Sequence, residues 1–121
     1  MKKVIGFAQF HPEFGNVEKN IETIKRQASE ASAADLLVFP ELGLTGYEFK
    51  DAAEAQGVAE PLGDGPTADA LRDIAATHSM TAIIGYPELS GGKAYNACLM
   101  ATPDGALHNY RKIHLFSREN D

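Results

Sequence analysis

Glu41 and Lys112 are the two side chains of this sequence whose placement points to chemistry. Each stands just past a short apolar run with the character of a β-strand. The first run, Leu36-Leu37-Val38-Phe39, is closed by Pro40 and followed by Glu41 and the glycine-punctuated stretch Gly43-Leu44-Thr45-Gly46-Tyr47. The second, Leu107-His108-Asn109-Tyr110, continues into Arg111, Lys112, Ile113, His114, Leu115 and Phe116. In a layered α/β protein, ligands collect at the carboxyl ends of strands. A carboxylate and an amine delivered to one such edge are two parts of an acyl-transfer site: one moves protons, the other steadies developing negative charge. Taken singly, each has a plainer account, as a solvated loop acid or cap for Glu41 and a strand-end charge for Lys112.

The third part of such a site, a nucleophile, has no clear source. Cys98 is the single cysteine and lies mid-strand within Tyr95-Asn96-Ala97-Cys98-Leu99-Met100. It reads as a small buried hydrophobe, because a nucleophilic thiolate wants a helix N-terminus or a strand-to-helix elbow. His11, His78, His108 and His114 lack metal-ligand spacing, so no metal is expected. Gly63-Asp64-Gly65-Pro66 precedes a helix start but lacks a phosphate-loop pattern, and Asp64 would repel phosphate; it reads as a turn. No G-x-S-x-G elbow is present. The loop carrying Glu48, Asp51 and Glu54 is placed to shape a pocket, and Tyr47 either lines that pocket or packs beneath it.

Composition narrows the partners. The chain has 121 residues, 44% of them hydrophobic and 23% charged, as expected of one globular domain. A formal charge of −6 argues against nucleic acid and anionic membrane surfaces, which reward clustered Lys and Arg. No apolar run approaches the ~20 residues a membrane helix needs. The start, Met1-Lys2-Lys3-Val4-Ile5-Gly6-Phe7, imitates a secretory signal only until Gln9, His11, Pro12 and Glu13 interrupt it. One cysteine excludes an internal disulfide and fits a reducing compartment, so a cytoplasmic location is expected.

The elements that must position Glu41 and Lys112 follow from periodicity. Val4–Phe10 reads as a strand apolar on both faces, hence covered twice. Asn16 is placed to cap a helix from Val17 to about Ala33, with Val17, Ile21, Ile24, Ala28 and Ala31 on one stripe. Asp35–Phe39 forms a second strand. Gly43–Pro66 is loop, with one short helix around Asp51–Gln56. Thr67 caps a helix to about His78 that buries Leu71, Ile74 and Ala75. Thr81–Tyr86, Ala94–Ala101 and Ala106–Arg111 are strands, joined by turns at Ser90-Gly91-Gly92-Lys93 and Pro103-Asp104-Gly105. Alternation first and hairpins later predict an α/β fold with a mixed sheet backed by helices on one face. The other, apolar face then needs a further cover, so residues 1–121 read as a single, incomplete domain.

Taken together, Leu37-Val38-Phe39-Pro40-Glu41-Leu42 with Gly43-Leu44-Thr45-Gly46-Tyr47, and Tyr110-Arg111-Lys112-Ile113-His114-Leu115-Phe116, closely resemble the nitrilase (carbon–nitrogen hydrolase) superfamily. Tyr95-Asn96 and Pro103-Asp104-Gly105 resemble its intervening hairpin. The resemblance implies an α-β-β-α sandwich of two mixed sheets, commonly assembled as a homo-oligomer. It implies a Glu-Lys-Cys site that hydrolyses small amides, carbamoyl compounds or nitriles without a cofactor. Glu41 then matches the general base, Lys112 the catalytic lysine, and Glu119 falls where many members carry a supporting glutamate. The family's cysteine lies downstream of its lysine, and Cys98 lies upstream. Two rivals therefore stand beside an amide hydrolase whose nucleophile comes from elsewhere: a non-catalytic module that associates with a partner, and a compact enzyme using Cys98.

Overall fold

A row of small and branched side chains fills the space between one sheet and two helices. The computed structural model describes residues 1–115. Along it run β1 (Ile5–Phe7), α1 (Val17–Glu30), β2 (Leu36–Val38), α2 (Ala52–Val58), α3 (Pro66–His78), β3 (Thr81–Ser90), β4 (Lys93–Ala101) and β5 (Leu107–Arg111). The strands form one sheet in the order β1-β2-β3-β4-β5. β1, β2 and β3 pair in parallel, whereas β3-β4 and β4-β5 are antiparallel. The parallel pairs need crossovers, supplied by α1 and by the α2–α3 segment. The antiparallel pairs need only tight turns.

Both hairpin turns have a local cause. Gly91 and Gly92 form the two-residue link between Ser90 and Lys93 with φ of +57° and +74°, the left-handed pair that a twisted hairpin requires. At the other turn, the Asp104 carboxylate accepts from the Ala106 amide, and the Thr102 hydroxyl donates to it as well.

The helix-covered face carries Leu37, Ala82, Ile84, Tyr86, Leu99 and Ala101, packed against Ile24 and Ala28 of α1 and Leu71, Ile74 and Ala75 of α3. Full burial of one such aliphatic side chain is worth about 1.5–3 kcal/mol, so this layer is what holds the sheet. On α1 the expected stripe splits: Ile24 and Ala28 are fully buried, while Val17, Ile21 and Ala31 pack at its margin. α1 stops at Glu30 rather than near Ala33, and its N-cap is Asn16, whose side chain accepts from the Lys19 amide.

Three expectations are corrected. β1 spans three residues, not Val4–Phe10, and it is covered on one face only: Ile5 and Phe7 are 72% and 79% exposed. Among the described residues it is an edge strand, paired with β2 alone, and none of them forms a layer over the row Phe7–Val38–Ile83–Met100–His108 that crosses the sheet's second face. Thr67 does not cap α3. That helix begins at Pro66, and the Glu60 carboxylate accepts from both the amide and the hydroxyl of Thr67. Cys98 is not fully buried; it is partly exposed on the uncovered face, in register with Gly85 and Tyr110.

Candidate active site

Glu41 and Lys112 meet. Although 71 positions apart in sequence, they bring Lys112 Nζ to 3.0 Å from Glu41 Oε1. Asn96 Nδ2 donates to the same oxygen at 2.7 Å, and the Tyr47 hydroxyl donates to Oε2 at 3.0 Å. The Glu41 carboxylate is thus gripped by an ammonium, an amide and a phenol. Partial burial works against its charge, but the hydrogen bonds from Lys112, Asn96 and Tyr47, with the charge of Lys112, outweigh it and hold the carboxyl below the ordinary glutamate range. The group is ionised at neutral pH.

Glu41 is placed by backbone rather than by side-chain packing. After β2 the chain keeps bonding to β3: the Phe39 amide donates to the Ile83 carbonyl, the Gly85 amide to Pro40, and the Gly43 amide to Gly85. This brings Glu41 directly against Gly85, where any Cβ would collide with Glu41 Cα and Leu42 N. Leu42 itself sits at φ +47°, a left-handed conformation that is strained for a bulky residue. The Leu42 carbonyl accepts from the Thr45 and Gly46 amides and closes the turn. From below, the buried Asn20 of α1 donates to the carbonyls of Glu13 and Leu44 and accepts from the Glu13 amide. Phe14 and Phe49 stack edge to face, with centroids 5.4 Å apart, and bind the same loops together.

Lys112 is placed by the end of β5. Its amide donates to the Asn96 carbonyl at 2.8 Å, so Asn96 fixes the lysine with its backbone and the glutamate with its side chain. Glu41, Asn96 and Lys112 line a shallow pocket of about 340 Å³ on the uncovered face, together with Ile83, Cys98 and Tyr110. Beside it runs a larger groove of about 1100 Å³, bounded by Tyr47, Glu48, Phe49, Ala52, Lys93 and Lys112. Within that wall, Asp51 caps α2 by accepting from the Glu54 amide, and Glu54 accepts from Lys50 N, so these two acids serve the backbone.

Of the residues singled out from the sequence, Glu41, Lys112 and Tyr47 come together, and Glu119 lies outside the described residues. Sequence reasoning did not assign Asn96 or Gly85 to the site. Asn96 had a signal, its place in the Tyr95-Asn96 pair; Gly85 had none beyond being a glycine in a strand. Among the described residues no group of three or more His, Cys, Asp or Glu is arranged to hold a metal, and no helix is long and apolar enough to cross a membrane.

A mixed α/β sheet with a carboxylate and a lysine paired at its rim fits one class, the carbon–nitrogen hydrolases. Residues 5–121 match that family over nearly the whole chain, and the chain belongs to it. It is 34% identical to a nitrilase of Pyrococcus abyssi, over 95% of this chain and 45% of that protein. It is 37% identical to an (R)-stereoselective amidase of a Pseudomonas species, over 80% of this chain and 34% of that protein. Among solved structures, a CN-hydrolase superfamily protein of Xanthomonas campestris with an arsenic adduct in its active site superposes with a TM-score of 0.86 at 29% identity. That superposition covers 99% of this chain and 44% of the other. An N-terminal amidase superposes with a TM-score of 0.83 at 29% identity, covering 94% and 28%. The chain spans less than half the length of these relatives.

Proposed function

We propose that this chain provides the base and the oxyanion-stabilising half of a hydrolase acting on non-peptide C–N bonds of small amides, carbamoyl compounds or nitriles. The observation that carries this reading is the 3.0 Å contact between Lys112 Nζ and Glu41 Oε1 at a pocket rim. A thiol with a free pKa of ~8.5 is mostly protonated at neutral pH and needs a neighbouring base. Glu41, ionised, accepts that proton as the thiolate attacks the substrate carbon and a C–S bond forms. Negative charge then builds on the substrate oxygen or nitrogen, and the fixed ammonium of Lys112 stabilises it. For an amide, Glu41 returns the proton to the departing amine. It next takes a proton from water as the water attacks the thioester; the C–S bond breaks, the acid leaves, and Glu41 returns that proton to the thiolate. Asn96 and Tyr47 hold the Glu41 carboxylate in its acceptor orientation throughout. No metal or organic cofactor enters the scheme.

In this reading the thiol comes from sequence outside these 121 residues, the protein works in the cytoplasm as a homo-oligomer, and the isolated chain is silent. Ammonia release from a panel of amides, carbamoyl compounds and nitriles tests it. No turnover is expected from the chain alone, and turnover abolished by Glu41→Gln would overturn the silence while supporting the role of Glu41. One observation favours a second reading, with Cys98 as nucleophile: its side chain lines the same pocket as Glu41 and Lys112. Its mid-strand position lacks the helix N-terminus that lowers a thiol pKa. Turnover that survives Cys98→Ala would dispose of this alternative.

A further inference from the structure

The site leaves one buried charge without a task. Glu88 of β3 is 3% exposed, yet it is ionised and fully engaged. Arg111 clasps it through Nε and Nη2, each at 2.8 Å, and Asn109 Nδ2 donates to Oε2 at 2.8 Å. Asn109 in turn accepts from the Tyr86 hydroxyl at 2.9 Å, and the Arg111 guanidinium lies 4.0 Å from the centroid of the Tyr95 ring. The fork from Arg111, opposed by burial and helped by Asn109, holds the Glu88 carboxyl below its ordinary range. These residues occupy the helix-covered face of the sheet, opposite the pocket.

The connection to the pocket is the alternation of β5. Arg111 is the last residue of that strand and pairs with Ala97; Lys112 is the next residue. Successive side chains point to opposite faces. Whatever pins Arg111 on one face therefore sets where Lys112 emerges on the other. Among the described residues β5 is an edge strand, bonded to β4 alone, and its end would otherwise fray. Arg111 reaches across β4 to a residue of β3 and ties that end to the sheet's interior. The choice of cation also matters. Tyr110-Arg111-Lys112 puts two cations side by side, and a one-residue slip would exchange their faces. Only arginine has the planar fork that matches both carboxylate oxygens. Glu88 is buried but the Arg111 side chain is 42% exposed, and an ion pair so placed adds little net stability, so specificity of register is the role that fits.

We propose that Arg111 and Glu88 form a positioning clamp that fixes the end of β5 and so delivers Lys112, rather than Arg111, to the Glu41 carboxylate. The proposal rests on Lys112 being the lysine of the site, as read above, but its test needs no turnover. The Glu41 carboxyl carbon is titrated by ¹³C NMR in the 121-residue chain and in Arg111→Met, Arg111→Lys and Glu88→Gln variants, with amide dispersion reporting the fold. In the methionine and glutamine variants the Glu41 midpoint is expected to rise by about 0.5–1 pH unit as the ammonium moves away. Exchange of the Lys112 amide is expected to quicken at least tenfold. Lysine at position 111 should recover less than half of the change. An unmoved Glu41 midpoint in folded variants overturns the clamp, as does full recovery by lysine. If Arg111→Met does not fold, the near-isosteric Glu88→Gln decides on the same criterion, and unfolding of both counts against a local device. A clamp that holds while the complete protein, thiol included, hydrolyses no amide, carbamoyl compound or nitrile leaves the positioning intact while removing the catalytic reading.

Discussion

A β-carbon on Gly85 would lie 2.5 Å from Glu41 Cα and 2.6 Å from Leu42 N, so a bare backbone under the glutamate is a condition of the site. Neither contact involves the end of a flexible side chain that could swing aside. Gly85→Ala is therefore expected to push the Pro40–Gly43 turn off β3, costing about 1–3 kcal/mol in urea unfolding. The amide resonances of Glu41, Leu42 and Gly43 should shift more than those of α1. Unchanged stability would mean that the turn yields freely.

The contrast with Glu41 itself says what a sequence discloses. The meeting of Glu41 and Lys112 was legible because each follows an apolar run at a strand end, and strand ends of a layered α/β sheet collect at a shared rim. The helices were legible from the stripe Ile24–Ala28 and from Leu71–Ile74–Ala75. Gly85 was not, since its need arises from a backbone 44 residues away in sequence. Nor was the exposure of Ile5 and Phe7: a strand with two apolar faces announces that it wants two covers, not which elements supply them. Cys98 was misread for that reason, as an alternating strand pattern does not say which face a layer covers.

Asn20 makes the same point with an energy attached. It stands inside α1, where a buried asparagine has no helical purpose, and its amide ties the Glu13 and Leu44 backbones beneath the Glu41 turn. Asn20→Ala takes the side-chain partner from the buried Leu44 carbonyl and the Glu13 amide, while the Glu13 carbonyl keeps the Asn16 amide, at an expected cost of about 1–3 kcal/mol. Thermal or urea unfolding measures it. An equal loss in a Glu41→Gln background would mean that the staple supports the loop and not the charge.

The hydrogen-bonded carboxylates give opposite pH signatures. Glu41 and Glu88 have folded-state values below the ordinary 4.5, so each contributes stability that is present above 4.5 and lost as pH falls through its folded value. Glu60 runs the other way. Burial raises its carboxyl, against the hydrogen bonds from Thr67, and the nearby charge of Asp69 adds to the rise. Its contribution is complete below 4.5 and is lost as pH rises through its folded value. In urea midpoints measured against pH, Glu88→Gln should flatten the acid limb. Glu60→Gln should gain on the unsubstituted chain as pH climbs above 4.5. A Glu60→Gln difference that is constant with pH would show that Glu60 is already ionised at no cost.

The uncovered sheet face offers the last test, with Cys98 as its reporter. Ile5, Phe7 and Tyr110 are exposed there, and the partly exposed Cys98 sits in the same register row as Tyr110. A contiguous apolar surface of this kind drives association, and association would shield the thiol. At low micromolar chain and neutral pH, iodoacetamide is expected to alkylate native Cys98 without denaturant, since a fully buried thiol would wait for unfolding. As concentration rises, the labelling rate should fall several-fold while the sedimenting mass grows. Phe7→Lys should abolish both trends, because a charge in the row Phe7–Val38–Ile83 makes its burial against a second copy unfavourable. Native labelling at a rate independent of concentration, with monomer mass throughout, would show that this face does not pair with itself. A thiol inert until unfolding would place Cys98 behind packing that the sheet alone does not provide.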